Sequence, residues 1–529
     1  VSAKDGGTFS GTIAAAGLST SSLGTSNFRA GVNAGNSIEA GGNYNVTVGD
    51  EAGTALTTGD DNTFIGYAAG DATTTATDNV AVGHDAFTAN STGGDNVAVG
   101  ANALMANTTA AGNTGLGYQA LKTNTEGHSN VAVGKNSLKL GTTGDYNVAV
   151  GMNALDANTT ADNNTAVGYD ALGANTTGTG NVAVGTNALD ANTTANNNTA
   201  VGKAALGANT TGADNVAIGA VALDANTTGD NNTAVGQQAL GSNTTADNNT
   251  AVGHDALAAN TEGFNNTAVG SFAMDAVTTG DYNTGLGVFA LTAETTGAGS
   301  TALGYGALAT QNSTSSADMQ NTAVGREAGT AVTTGIQNTF VGGLAGDSGT
   351  TAANNVIVGY NSDLAAVDTA QVVVLGSGVT SQAANNFTFG FGATDSNIAF
   401  GATSISAPSD VRLKEDIQDE TVGLGFVNDL RPVTFQWKKE KDIPEEMKTH
   451  VAGSDTRVMN GKHNHGFIAQ EVKAVIDKHE MKDGFDMWSE DPTDGRQRVG
   501  DASLMPIMVK ALQELSAKND ALESRLAAL

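Results

Sequence analysis

Asn164-Thr165-Ala166-Val167-Gly168 is one copy of a five-residue unit, Asn-(Thr/Val)-Ala-Val-Gly, that recurs every 17 residues along most of the chain. The nineteen copies begin at Asn45, Asn62, Asn79, Asn96, Asn113, Asn130, Asn147, Asn164, Asn181, Asn198, Asn215, Asn232, Asn249, Asn266, Asn283, Ser300, Asn321, Asn338 and Asn355. The spacing changes once, by a four-residue insertion within Gln311–Gln320. A short repeat of fixed length is typical of a solenoid, in which each repeat stacks on its neighbours.

We call each 17-residue repeat a rung, and its residues suggest how it folds. Thr-Ala-Val is short and β-prone, so it predicts a strand, and the Gly that closes it, as at Gly151, permits a turn with positive φ. Ala154-Leu155 supplies a second wall, and Asn175–Gly178 is typical of a turn. We expect the Val and Leu of every rung to face one core and the leading Asn to form an amide ladder. Small residues of the Ala149 type are expected to pack against other copies of the chain.

Composition divides the chain and excludes several classes of function. Cys is absent, which rules out disulfides and thiolate metal sites, and the net charge of −30 argues against nucleic acid as a partner. No apolar run is long enough to insert in a membrane, and Val1 in place of Met indicates a fragment or a processed product. All five prolines lie at Pro408 or later, and a β-ladder tolerates proline poorly. The predicted segments are a connector (1–44), a β-solenoid (45–359), a β-rich neck (360–408) and a mixed domain (409–529) that ends in a coiled coil (about 504–529).

The start of the last segment carries the chain's most plausible chemistry. Ser409 stands five residues before Lys414 in Ser409-Asp410-Val411-Arg412-Leu413-Lys414. A lysine amine held in an apolar pocket loses its proton more readily and then serves as the base for a serine hydroxyl. On spacing alone, a boundary loop with a hydroxyl and a surface lysine is the commoner interpretation.

This stretch resembles the start of the endosialidase-type C-terminal intramolecular chaperone, a self-cleaving serine peptidase domain of phage tailspikes and tail fibres. Three later segments agree with that family in order, and the resemblance covers about the last 120 residues. These segments are Leu430–Lys438 (LRPVTFQWK), Gly466–Val472 (GFIAQEV) and Leu504–Leu515 (LMPIMVKALQEL).

The resemblance implies specific roles for residues near the boundary. It implies Ser409 as the nucleophile and Lys414 as its activator, with the chaperone released once a trimer has formed. Family precedent points to cleavage of the Ser409–Asp410 bond. A serine attacks the preceding carbonyl, that of Pro408, more easily, because the attack passes through a five-membered ring. The cleaved bond is therefore left open between Pro408–Ser409 and Ser409–Asp410. Asp410 and Arg412 are interpreted as orienting or structural groups.

Two features predict that the chain associates with itself. The Val-Ala-Val-Gly rungs resemble the β-roll of trimeric autotransporter adhesin heads, although rungs there are usually shorter, and this resemblance implies a homotrimer. Independently, the C-terminal residues step by 4 and 3 with one polar position, which is a heptad seam that sets register and oligomeric state. That seam is predicted to hold the chains together before the slowly folding array forms, and it runs through Met508, Leu512, Leu515, Asn519, Leu522, Leu526 and Leu529.

His463 and His465 form the other candidate site. Two histidines at a spacing of two on a strand share a face and are potential metal ligands. With no cysteine and no third obvious ligand nearby, we expect no metal and no cofactor, and instead a supporting role near the cleavage site. The array shows no paired carboxylates with aromatic platforms of the kind a glycan hydrolase needs, so single-turnover autoproteolysis is the only enzymatic activity we expect.

The sequence therefore predicts a mainly β protein: a 17-residue-repeat β-solenoid homotrimer, followed by a small α/β chaperone domain ending in a coiled-coil helix. The function expected is a structural, receptor-binding tail fibre of a bacteriophage, made in the host cytoplasm and located in the virion. Its expected partners are a glycan or protein receptor on the host surface and an upstream virion or baseplate component. The alternatives are a bacterial trimeric surface adhesin with the same chaperone and the C-terminal part of a polysaccharide-degrading tailspike. Receptor contacts are expected at the irregular places, Gln311–Gln320 and residues 360–407.

Overall fold

The computed structural model shows two compact units, Val1–Pro408 and Ser409–Leu529. The residues it describes are 18–19, 24–313, 318–402, 405, 409, 411–445, 447, 449–459, 461–481, 487–491, 495–500 and 503–529. Pro408 and Asp410, two residues of the predicted cleavage region, lie outside this set.

The first unit is a β-solenoid of about 21 turns with a spacing of about 17 residues. Most of its strands have three residues, and the last three have six. They are β1 (Leu18–Ser19), β2 (Phe28–Ala30), β3 (Val46–Val48), β4 (Thr63–Ile65), β5 (Val80–Val82), β6 (Val97–Val99), β7 (Thr114–Leu116), β8 (Val131–Val133), β9 (Val148–Val150), β10 (Thr165–Val167), β11 (Val182–Val184), β12 (Thr199–Val201), β13 (Val216–Ile218), β14 (Thr233–Val235), β15 (Thr250–Val252), β16 (Thr267–Val269), β17 (Thr284–Leu286), β18 (Thr301–Leu303), β19 (Thr322–Val324), β20 (Thr339–Val341), β21 (Val356–Val358), β22 (Val372–Ser377), β23 (Asn386–Phe391) and β24 (Thr394–Ala399).

The strands pair in parallel and keep the register of the sequence repeat. Thr165, for example, pairs with Val182, the residue 17 positions later. The four-residue insertion leaves this register intact, because Thr301 pairs directly with Thr322. At the ends, β1 runs antiparallel to β2 and β24 runs antiparallel to β23. The predicted mainly β solenoid with a 17-residue repeat is therefore confirmed.

The prediction of which strand residues face the core was wrong. In β9 the central Ala149 is buried, while the flanking Val148 and Val150 are half-buried on the outer face. Ala149 and Leu155 belong to the core of their own chain, so Ala149 does not pack against another copy. Ala occupies this place because the core is narrow: in β7, where Gly115 stands there, an added Cβ would already lie 3.4 Å from a Leu104 carbon.

Two rungs with Phe in place of the central Ala support the explanation that the core is narrow. Phe64 takes the central place in β4, and its ring lies where Gly70 replaces the usual buried Leu. Phe340 in β20 is accommodated in the same way by Gly346, whose added Cβ would lie 2.3 Å from the ring. A large residue on one wall is thus matched by a glycine on the other, which keeps the core at constant volume.

The predicted asparagine ladder is confirmed, and it is linked to the backbone as well. Asn198 donates its backbone N–H to Asn181 Oδ1 at 2.9 Å and its side-chain amide to the carbonyl of Gly212 at 2.9 Å. Its own Oδ1 accepts the backbone N–H of Asn215 at 3.0 Å. All of these asparagines are buried, so the ladder satisfies polar groups in the interior that water cannot reach.

The sequence analysis missed a second ladder, formed by the Asn of the Asn-Thr-Thr turns. Asn226 Nδ2 donates to Asn209 Oδ1 at 2.8 Å, and Asn209 Nδ2 donates to Asn192 Oδ1 at 3.2 Å. These side chains are also buried. Their triplets match glycosylation acceptors in sequence, but a buried amide in the folded rung is not accessible to modification.

The first ladder gives a testable stability prediction. Asn198→Leu removes the partners of a buried carbonyl and a buried N–H, so we expect a loss of about 2–5 kcal/mol in local stability. The control Asn196→Ala removes an exposed acceptor two residues earlier, and we expect it to cost less than about 1 kcal/mol. Amide hydrogen exchange across residues 181–215 measures both. Equal protection in the two variants would show that the ladder does not stabilise the rungs.

The second unit is a small α/β domain, as predicted. Its elements are a 3₁₀ turn (Val411–Leu413), α1 (Leu424–Asp429), β25 (Val433–Phe435), a 3₁₀ turn (Glu440–Asp442), β26 (Asn464–Gly466), α2 (Ala469–Lys478), β27 (Trp488–Glu490), β28 (Gln497–Val499) and α3 (Leu504–Ala527). β25 pairs antiparallel with β26, and β27 with β28. The core consists of Phe426, Leu430, Val472, Ile476, Met487 and Ile507. Within the described part of the chain, no helix has both the length and the hydrophobicity to cross a bilayer.

Candidate functional site

Ser409 and Lys414 are in direct contact. Lys414 Nζ lies 2.8 Å from Ser409 Oγ. The intervening Val411–Leu413 segment forms a 3₁₀ turn, and the N–H of Lys414 donates to the carbonyl of Val411 at 3.2 Å. This turn brings together two side chains that are five residues apart. At this distance a neutral lysine amine is able to accept the hydroxyl proton of the serine.

The surroundings of the pair differ from the apolar pocket that the sequence analysis described for such a lysine. Ser409 and Lys414 are both exposed in the single chain, as is Arg412 on the 3₁₀ turn. A serine attack also needs a water-poor site with donors for the developing oxyanion. The structure shows the contact alone, and the catalytic roles of Ser409, Lys414 and Arg412 stay predictions. Asp410 and the alternative carbonyl at Pro408 lie outside the described residues.

His463 and His465 lie in different surroundings, and only His465 is part of a strand. His465 lies in β26 opposite Thr434, whereas His463 precedes the strand, and its Nδ1 is 3.4 Å from Gln436 Nε2. Among the residues that the structure describes, no cluster of three or more His, Cys, Asp or Glu side chains is arranged to hold a metal ion. The supporting role proposed for these histidines near the cleavage site stays a prediction.

His465 lines a cavity of about 530 Å³ in this unit. Phe435, Trp437, Phe467 and Ile468 are among the residues that line it. Both groups come from segments that the sequence analysis selected, Leu430–Lys438 and Gly466–Val472. The two motifs are therefore adjacent in space, and the cavity that they line has a mixed aromatic and polar wall, to which Gln497 and Arg498 also contribute.

Two contacts of acidic side chains that the sequence analysis missed hold segments of this unit together. Arg431 binds Glu471 through both carboxylate oxygens, with Nε to Oε2 at 2.9 Å, and this hydrogen bonding lowers the pKa of Glu471. Glu514 of α3 accepts the N–H of Leu424 at the start of α1 at 2.9 Å, where a carboxylate satisfies an unpaired helical N–H. For Arg431 and Glu471, opposite charges in separate motifs were the available signal, but only the tertiary fold brings them together.

Helix α3 presents two different faces. Ile507 and Ala511 are buried against the domain core. The apolar heptad residues predicted within the helix lie on a neighbouring face and are exposed in the single chain, with exposed fractions of 43–74%. They are Met508, Leu512, Leu515, Leu522 and Leu526, and the polar heptad residue Asn519 donates its side-chain amide to Glu523. The trimerisation role of this row is not tested by the single chain and stays a prediction.

The irregular places in the solenoid have distinct structures. At the insertion, the buried Glu294 accepts the backbone N–H groups of Gly297 at 2.7 Å and Ser313 at 3.1 Å and the amide of Gln311 at 2.9 Å. Glu294 and Gln311 thus replace the second asparagine ladder, and residues 314–317 lie outside the description. The receptor contacts expected at the insertion and in the neck stay predictions.

A row of aromatic side chains on the solenoid surface was not recognised from the sequence. Aromatic side chains from successive rungs stack along the array just before the insertion. Phe272 and Phe289 are parallel with ring centres 5.5 Å apart, and His254 and Tyr305 extend the row at 5.3 and 6.0 Å. The signal was present as aromatic residues one or two positions after the repeat glycine in neighbouring rungs.

Comparison with known proteins agrees with the arrangement of the second unit. The sequence model of a family described as chaperone of endosialidase matches residues 409–480. Searches of curated proteins and of solved structures gave no match. The matched region begins at the boundary between the two units and contains the Ser409–Lys414 contact, α1, the β25–β26 pair and α2. Residues 409–480 of this chain are therefore a chaperone-of-endosialidase domain that follows a β-solenoid.

Proposed function

We propose that the chain is a subunit of a homotrimeric tail fibre of a bacteriophage. The solenoid forms the shaft and contacts a host-surface glycan or protein, and the C-terminal domain folds the trimer and then cleaves itself off near Ser409. The observation that carries the proposal is the chaperone domain that directly follows the solenoid in the sequence, with Ser409 Oγ and Lys414 Nζ 2.8 Å apart at its first residues.

The exposed heptad row of α3 supports the assembly step. An apolar row on a helix surface buries itself best against the same row of other copies, and a polar Asn within it selects register and oligomeric state. A repeat array needs such a device, because rungs of nearly identical sequence give little information about which rung of one chain should face which rung of another.

Native and intact mass of the purified full chain test this proposal. We expect a complex of three long fragments that end near residue 409, together with a released piece of about 120 residues. A chain that is monomeric and whole under native conditions would contradict both the trimer and the self-cleavage.

A bacterial surface adhesin with the same chaperone is the second candidate. The Val-Ala-Val-Gly rungs, which resemble those of trimeric adhesin heads, favour it. The genes beside this one distinguish the two: baseplate genes indicate a virion component, whereas a signal peptide encoded upstream in the same reading frame indicates an adhesin.

A further inference from the structure

The outward face of the solenoid sheet has an unusual composition. In strands β3 to β22 the outer row nearest the repeat glycine consists of Val, Ile or Leu in every strand, and the row on the other side consists of Val or Thr. No charged side chain stands at any of these outward positions. Leu116, Ile218 and Leu375 in this face are 45%, 41% and 51% exposed in the single chain. We call these two rows the outer apolar face.

A face of this kind is normally covered. Parallel sheets that are apolar on both sides are found buried on both sides, and continuous exposed apolar patches of more than a few hundred Å² mark interaction surfaces. At about 4.8 Å between strands, β3 to β22 give a face roughly 90 Å long, and two side-chain rows make it roughly 7–10 Å wide. The resulting area of roughly 600–900 Å² per chain is close to what one partner contributes to a stable protein interface.

The pattern of variation along the chain indicates which partner covers it. One position past the repeat glycine, successive rungs carry unrelated residues: Lys135, Met152, Tyr169, Thr186 and Lys203. That position is free to change from rung to rung, whereas the outer apolar face keeps its character over the whole array. A partner that selects the same residue type every 17 positions must itself present the same environment at each rung. A second copy of this chain, parallel and in register, does so.

We infer that the outer apolar face is the surface along which copies of this solenoid pack against one another, side by side and rung against rung. The inference rests on the proposed self-assembly and specifies where it occurs. The copies turn this face toward a shared axis, so Val, Ile and Leu of each rung meet the same rung of the neighbouring chain. The variable positions past the glycine, including the stacked aromatic row, stay on the outside.

The absence of cysteine in the natural sequence allows a direct test. Val184→Cys places a thiol on the outer apolar face, and the control Thr186→Cys places one two residues later, past the glycine. Both positions are exposed in the single chain, so a monomer would expose both thiols to a maleimide reagent. In the assembled full chain we expect the Val184→Cys thiol to react at least about tenfold more slowly than the control. We also expect it to form disulfides between chains under mild oxidation.

A second pair, Ile218→Cys and its control Ala220→Cys, repeats the test two rungs later if the first pair folds poorly, and both positions are again exposed in the single chain. If native mass shows a trimer but the Val184→Cys and Ile218→Cys thiols react as fast as their controls, the inference is wrong and the proposed trimer stands. If native mass shows a monomer, the proposed trimer and this inference both fail.

Discussion

We expect Ser409→Ala to leave the full chain whole under conditions in which the proposed self-cleavage separates the wild type into a long fragment and a C-terminal piece. Without the hydroxyl there is no nucleophile at the boundary, and loss of an activated serine typically lowers the rate on the order of 10³-fold or more. Lys414→Met removes the amine that lies 2.8 Å from the hydroxyl and is expected to have a similar effect. Intact mass spectrometry over time measures both.

The matched control for this prediction is Ser489→Ala. Ser489 is an exposed serine of the same domain, in β27, and its removal should leave cleavage unchanged. Cleavage of Ser409→Ala at the wild-type rate would refute the assignment of the nucleophile. An uncleaved wild type would make the C-terminal domain a permanent cap.

Gly342→Ala should be among the most damaging single-methyl additions in the array. Gly342 has φ of 132°, and an added Cβ would lie 2.3 Å from the carbonyl oxygen of Gly359 in the next rung. Backbone strain of this kind costs about 1–3 kcal/mol, and displacing a neighbouring carbonyl adds to it, so we expect a loss of at least about 3 kcal/mol.

The adjacent Gly343 provides the control. An added Cβ there would meet its nearest neighbour, a ring carbon of Tyr360, at an ordinary 3.5 Å. Gly343→Ala should change stability by less than about 0.5 kcal/mol. Because solenoids open rung by rung, hydrogen exchange in residues 324–360 is the appropriate measurement. Similar loss of protection in the two variants would refute the close-approach explanation.

The periodic part of the fold was predictable because the same residue pattern recurs in every rung. The rung length, the parallel register and the first asparagine ladder follow from spacing alone. The orientation of the strand was not predictable, since both faces of Val148-Ala149-Val150 are apolar and hydrophobicity ranks Val above Ala. The width of the core, set by Leu155 and its equivalents, decides that Ala149 faces inward.

The contacts within the C-terminal unit, in contrast, were mostly not predictable from the sequence. No repeat guides the interpretation there, and the proximity of Ser409 and Lys414 was expected only because of the family resemblance. The Arg431–Glu471 pair joins residues 40 positions apart, and the contact between Glu514 and Leu424 spans 90. Contacts over such distances depend on the packing of whole helices, which the sequence pattern does not reveal.

The constant register from β3 to β22 has a genetic consequence. Because each rung bonds to the one before and the one after in the same way, a gain or loss of 17 codons adds or removes one rung and leaves both ends unchanged. The length of the solenoid can therefore change in steps of about 4.8 Å without any new contact having to evolve.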